Sequence, residues 1–335
     1  LKRVISKITP LVFAVLLLCS LTGCGGILQK KELLTVDFKK DLPLRYKFVS
    51  SRDIDVEFNL GRGSDKAGKE QTDKFSESIE MTVAYIPTEV DPYGLTTIKA
   101  TCESVNVQNS KAGRRVIKND AVEYFAGKNF TFTVDARGKI EDYSQLNELI
   151  KQAGEKAFRP NTKQGRVKEP DMISDFVAAQ WFLWDAVSSI EKYVEGVSPG
   201  QSWKSKLSIP TPMVMRKARD VTYTFAEVRN SPKGHIAVIR SSYSPAKSVP
   251  DSWPIPYTGR FQMSGTFGFL TNYKMLDLKG EGEELFNIDA GRTEEYKQHY
   301  QMNLEASLPM GLGSGIKITI KQNLTMQLLE NEHKK

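Results

Sequence analysis

From Tyr296 onward the chain alternates so strictly that few folds can hold it. Tyr296, Tyr300, Met302, Leu304, Ala306 and Leu308 fall on one face, with Gln298 as the exception, while Lys297, His299, Gln301, Asn303 and Glu305 take the other. After Pro309 and a glycine-rich turn (Gly311, Gly313, Gly315), Ile316, Ile318, Ile320, Leu324, Met326 and Leu328 oppose Lys317, Thr319, Lys321, Asn323, Thr325 and Gln327. Successive side chains of a strand point to opposite faces, so this is a long antiparallel hairpin with one dry face and one wet. The outward lysines exclude a lipid-facing transmembrane barrel strand, whose exterior is apolar. Strands longer than the usual ~5 to 6 residues point to strongly curved sheets or barrels.

The same period runs through most of the chain. Leu44 to Val49, Ile54 to Leu60 and Ile79 to Ile86 alternate, with a glycine-rich charged loop (Gly61 to Lys74) between the last two. Asp91-Pro92-Tyr93-Gly94 is a turn, since proline presets the first dihedral and glycine accepts positive φ. Leu95 to Val107 returns beside it. Asn129 to Asp135 and Ile140 to Tyr143 form another hairpin, and Ser144 opens a short helix. Glu80 to Tyr85 and Gly94 sit over Asp220 to Phe225 and Gly234 at one offset; Thr131-Phe132, Lys139 and Asp142 sit over Thr266-Phe267, Lys274 and Asp277 at another. Tyr46-Lys47 and Trp203-Lys204 precede the respective hairpins. These matches suggest an internal duplication.

Between the repeats, Pro170-Asp171 signals the start of a helix that the pattern carries to about Tyr193. Phe176, Val177, Trp181, Phe182, Leu183 and Trp184 leave apolar groups on most of its circumference, as in a helix buried on all sides. Asp175, Gln180 and Asp185 interrupt it and argue against a bilayer span, where a central Asp costs ~2.5 to 3.5 kcal/mol. The plain reading is a core helix against a concave sheet; the sharper one makes Trp181, Phe182 and Trp184 the lining of an apolar pocket. The fold class is mainly β with one or two helices: two related antiparallel halves, as curved sheets or half-barrels, around a central aromatic-rich helix.

The start of the chain has a different character. Lys2, Arg3 and Lys7 precede an apolar run from Leu11 to Leu18, the order of a secretory signal. That run is shorter than the ~20 residues a bilayer span needs. Leu21-Thr22-Gly23-Cys24 then resembles the lipobox of bacterial lipoproteins. The resemblance implies that Cys24 carries a diacylglyceryl group after cleavage between Gly23 and Cys24. Two or more chains on one cysteine hold a protein to a membrane firmly, at ~0.8 kcal/mol per buried methylene. The resulting plan is a signal peptide (1–23), an acylated cysteine and tether (24–43), a first β-rich half (44–158), a linker with the central helix (159–195), a second half (196–330) and a polar tail (331–335). Such a protein sits in the cell envelope on the extracytoplasmic side, on either the inner or the outer membrane.

Composition excludes more than it indicates. The chain holds 47 Lys+Arg against 40 Asp+Glu, and loss of the signal leaves 44 against 40, too mild a surplus to favour nucleic acid. With Cys19 in the signal and Cys24 acylated, Cys102 is the one remaining thiol and no internal disulfide can form. Cys102 alternates with Ile98 and Ala100 and reads as a small buried hydrophobe.

His235, His299 and His333 lie at no metal-ligand spacing, so no metal or cofactor is expected. Gly313-Ser314-Gly315 sits in a hairpin turn and not at a nucleophile elbow. Asp53, Asp55 and Glu57, and the cluster Glu281, Glu283 and Glu284, read as solvated strand edges and turns. The basic runs at Lys111 to Lys118, Lys151 to Lys168 and Arg216 to Arg219 read as solvated loops, although such charges gain ~1 kcal/mol each beside anionic headgroups. No catalytic motif is present.

Phe130-Thr131-Phe132-Thr133-Val134 before Arg137-Gly138-Lys139, and Pro199-Gly200-Gln201-Ser202-Trp203 at the start of the second half, complete the pattern. Together with the lipobox, they make the chain resemble a family of uncharacterised bacterial lipoproteins with two related β-rich halves. That resemblance carries no active residues. Two functions fit it. The curved halves bind a lipid or other hydrophobic ligand, loosely resembling lipoprotein-carrier half-barrels, or the body is a structural module that scaffolds an envelope protein complex.

Overall fold

The computed structural model describes residues 30–58, 71–116, 119–159, 165–193, 195–251, 253–309 and 315–330. Gly23, Cys24, the first residues of the tether, most of the loop after Leu60, Gly311, Gly313 and the polar tail lie outside the described residues.

The first β-rich stretch contains β1 (Leu44–Phe58), β2 (Gln71–Val90), β3 (Thr96–Lys111), β4 (Arg114–Val116), β5 (Asn129–Val134) and β6 (Ile140–Asp142). A 3-10 turn (Ala121–Phe125) precedes β5, and α1 (Ser144–Lys156) follows β6. Then come β7 (Val167–Lys168), α2 (Ile173–Phe182) and α3 (Asp185–Ser188). The second stretch contains β8 (Ser202–Ser208), β9 (Ala218–Ser231), β10 (Gly234–Pro245), β11 (Gln262–Met263), α4 (Gly265–Phe269), β12 (Thr271–Asn287), β13 (Arg292–Ser307) and β14 (Ile316–Leu329).

The protein is mainly β, and its strands join into one antiparallel sheet of 12, ordered β6-β5-β3-β2-β1-β14-β13-β12-β10-β9-β8 with β4 on β3. β7 and β11 form a separate parallel pair. The expected halves therefore share a sheet, and its middle is the pairing of the first long strand with the last: Ile54 lies opposite Ile320 and Val56 opposite Ile318. The β1-β2-β3 and β8-β9-β10 runs are each meanders, as the first set of matched positions requires. The second set fails, because Thr131-Phe132 lies in β5 whereas Thr266-Phe267 lies in α4.

Register shifts at Thr82/Val83, Val238/Ile239 and Leu285/Phe286 add local twist to long strands. The two sheet edges, at Ile140 and at Lys204 to Lys206, border a single cleft, so the sheet curls round the helices. On its inner face Tyr46, Phe48, Ile54, Val56, Tyr296, Met302, Ile318 and Met326 are almost fully buried. Lys297 on the outer face is 61% exposed, as the alternation demands. Cys102 faces inward, and burial, then the Glu103 charge, push its thiol up to about 12.

Three expectations are corrected. β1 is one strand rather than two, because Arg52, whose charge broke the apolar pattern, keeps its inward place at 1% exposure. The later part of the tether packs on the body: Leu34, Val36 and Phe38 are buried, Glu32 bridges Val197, and Asp37 N–H donates to Gly291 O at 2.8 Å. The central helix is broken at Leu183-Trp184, where Trp184 leaves helical geometry and packs edge-on to Phe38 and Tyr85, and Asp185 restarts a short turn.

α2 covers the inner face through the polar residues that interrupt it. Arg52 Nη1–H donates to Asp175 Oδ2 at 2.8 Å, with both side chains 0% exposed. Ser50 Oγ–H and Gln322 Nε2–H donate to Asp175 Oδ1 at 2.9 and 3.0 Å. Burial alone would pull the Arg52 pKa down, but Asp175 and Glu77 outweigh it and hold the guanidinium charged. Gln180 accepts from Tyr85 OH at 2.7 Å, and Asp185 accepts from Tyr223 OH at 2.7 Å and from Ser205 Oγ–H at 2.8 Å.

Removing one partner of a buried ion pair strands the other, whereas apolar replacement of both is close to neutral. Since Glu77 remains beside Arg52, Asp175→Ala should cost about 3 kcal/mol, at the lower end of such losses. Arg52→Met with Asp175→Leu should recover most of that loss. Denaturant unfolding of the two variants measures both, and a double variant no more stable than the single one would show that the pair contributes through something other than charge compensation.

Candidate functional site

Beside α2 the body carries a groove whose walls come from three segments. Val177 and Trp181 face it from the helix, Ile209, Met213 and Met215 from the β8–β9 connection, and Ile255 and Tyr257 from the segment after Val249. It encloses about 100 Å³, or about 820 Å³ with its open mouth. Val214 and Ile255, 43% and 40% exposed, stand at that mouth. Apolar grooves with a few placed polar groups are the usual form of small-molecule sites.

Those polar groups are at the floor. Lys168 Nζ–H donates to Asp171 Oδ2 at 2.6 Å, both side chains being at most 2% exposed, and the ammonium lies 4.2 Å from the centre of the Tyr257 ring. Asp171 Oδ1 accepts from Tyr257 OH and from Ile173 N–H, so one carboxylate starts α2 and closes the floor. Asp120 Oδ1 accepts from Met172 N–H at 3.1 Å and from Val122 N–H at 3.0 Å. Burial, then the Asp171 charge, push the Asp120 carboxyl up to about 7. No sequence signal marked this cluster, because Lys168 and Asp171 read as parts of a basic linker and a helix start, and Tyr257 lies in a segment without periodicity.

The cleft between the sheet edges is larger, about 700 Å³, but it is lined by four basic and four acidic side chains that cancel. Trp181 lines both groove and cleft and meets Tyr143 edge-on at 5.3 Å. Trp184 borders the cleft but is 2% exposed, its ring packed among Phe38, Tyr85 and Phe132. Phe182, 1% exposed, turns into the core under the Arg219 guanidinium, 5.0 Å away. Of the three aromatic residues, Trp181 alone borders the groove.

Two further residues depart from the sequence reading. Arg219, expected in a solvated loop, is 0% exposed, donates to Gln298 Oε1 at 2.5 Å and stacks over Tyr243 and Tyr300. Glu284, expected at a solvated edge, is 1% exposed and accepts from Thr293 Oγ–H at 2.7 Å. Among the described residues no three His, Cys, Asp or Glu side chains gather as a metal site, and no helix is long and apolar enough to cross a membrane.

No family model and no curated protein matches the chain. Among solved structures, one described as lipid-protein interactions in lipovitellin is similar at 10% identity and a TM-score of 0.40, over 88% of this chain and 26% of that one. The chain thus spans about a quarter of the length of that relative. At this score neither a shared fold nor a shared function follows.

The buried carboxyls set a pH dependence. Burial pushes Glu284 up to about 8 and Asp185 up to about 6, and with Asp120 they stay protonated in the folded state at pH values where the unfolded chain ionises them. The folded state then holds more protons, so stability falls as pH rises from about 4 through the folded pKa values. Thermal melts should show a lower midpoint at pH 8 than at pH 5, and Glu284→Gln should flatten the upper part of that fall. A midpoint that rises over this range would contradict the assignment.

Proposed function

We propose that the chain is an envelope lipoprotein, anchored through lipid on Cys24, whose groove beside Trp181 binds a lipid or other hydrophobic ligand without transforming it. The single observation that carries the binding reading is the groove itself: apolar walls, two exposed apolar residues at its mouth, and a floor whose charges are already paired. With its charges paired, the floor presents the Tyr257 ring and the Lys168 stem as a closed end. The anchor reading rests on the lipobox at Leu21 to Cys24, and the packing of Leu34 to Phe38 on the body leaves a short segment between lipid and body. On this reading the body is tethered close to a membrane.

Binding by apolar burial has a graded signature. Each methylene moved from water into the groove contributes ~0.8 kcal/mol, so each two-carbon extension of a neutral n-alkanol should tighten binding about fifteen-fold until the groove is full. Met215→Trp, at a half-buried wall position, should weaken every member of the series by about tenfold. Calorimetric titration checks this, and affinities independent of chain length would remove the reading. For the anchor, a clickable palmitate analogue should label the chain in cells, and labelling of Cys24→Ala to the same extent would contradict acylation at that residue.

A further inference from the structure

The groove is apolar along its walls but not electrically balanced. Lys168 and Asp171 cancel at the floor, and Asp171 is the one acidic residue on the lining. Arg216 and Lys217 border the same groove, and among the described residues neither forms an ion pair with a carboxylate. Arg216 is exposed and donates one Nη2–H to Pro250 O at 3.0 Å, which fixes the guanidinium without neutralising it. Two uncompensated cations therefore stand where the apolar surface of Val214 and Ile255 reaches solvent. The neighbouring cleft, with its balanced charges, shows no such surplus.

We propose that the ligand is an anionic single-chain amphiphile, a long-chain carboxylate or phosphate monoester. Its tail lies against Val177, Met213 and Met215 and its head meets Arg216 and Lys217. A guanidinium matches either head by paired N–H donors, and the ammonium adds a point charge. The chain number follows from size: the tightest part, about 100 Å³, is smaller than a cavity of about 150 Å³ that holds one benzene ring, so it takes the end of one chain and not two abreast. This assignment rests on the hydrophobic-ligand reading above and adds the head group to it.

Photoaffinity labelling of the full chain in its membrane tests the inference. A long-chain carboxylate with a terminal diazirine is compared with the alcohol of equal length, and the crosslinked residues are mapped by mass spectrometry. The expected result is labelling of Val177, Met213 or Met215 by both probes, with the acid preferred by roughly tenfold, as two half-exposed ion pairs allow. Arg216→Glu with Lys217→Glu should abolish that preference and leave labelling by the alcohol intact; Arg216→Gln with Lys217→Gln should reduce it. Equal labelling by acid and alcohol overturns the head-group assignment while leaving the groove as a hydrophobic site. Absence of wall labelling by either probe overturns both. Labelling confined to Val214 and Ile255 marks a membrane-docking surface instead and overturns the inference, as does loss of alcohol labelling in both double variants, which would place the cations in the fold.

Discussion

An arginine at the centre of a sheet with no access to water dictates what covers that sheet. Arg52 belongs to the strand that pairs with β14, and its fully buried counter-charge is Asp175 of the helix above. Three donors of the sheet meet at that carboxylate: Arg52 Nη1, Ser50 Oγ and Gln322 Nε2. Sliding the helix by one turn would displace Asp175 by ~5.4 Å and leave a buried guanidinium to the half-share of Glu77. Apolar packing alone tolerates such slippage; this pair does not. Buried pairs of this kind add little net stability compared with apolar residues, and their contribution here is to position.

Position is what the groove requires. Its helical wall is the opposite side of the element that carries Asp175, and its floor residue Asp171 accepts from the first N–H of that element. The other walls are connections without regular structure, Ile209 to Lys217 and Val249 to Tyr257, which have no periodicity to specify their path. They are set by what they touch: Tyr257 by Asp171, and Pro250 by Arg216. One ion pair at the sheet centre thus fixes the reference surface against which the irregular walls are arranged.

Much of the scaffold can be read from alternation. The last hairpin, the inward thiol of Cys102 and the all-round burial of the central helix follow from period and composition. Even the exceptions carry information, since Gln298 breaks the dry face of its strand where Arg219 needs an acceptor, and Gln322 does the same beside Asp175. Asp175, Gln180 and Asp185, which interrupt the helix, each find a polar partner projecting from the sheet. What periodicity cannot supply is long-range pairing. Arg52 and Arg219 look like solvated charges until the helix and the facing strands are in place, and the β1–β14 contact that makes two stretches one sheet leaves no local trace. The groove is illegible for the same reason: Lys168, Asp171, Trp181 and Tyr257 come together through tertiary contacts alone.

The proposed ligand of one chain would fill a cation-rimmed apolar groove on the body. The most direct test is a native mass spectrum of the chain released gently from its own membrane, with the residues from Lys30 retained because Leu34, Val36 and Phe38 belong to the core. One adduct per chain with the mass of a single-chain amphiphile, lost on collisional activation before the chain unfolds, is the expected result. A bare chain, or one carrying only a protein subunit, would contradict it.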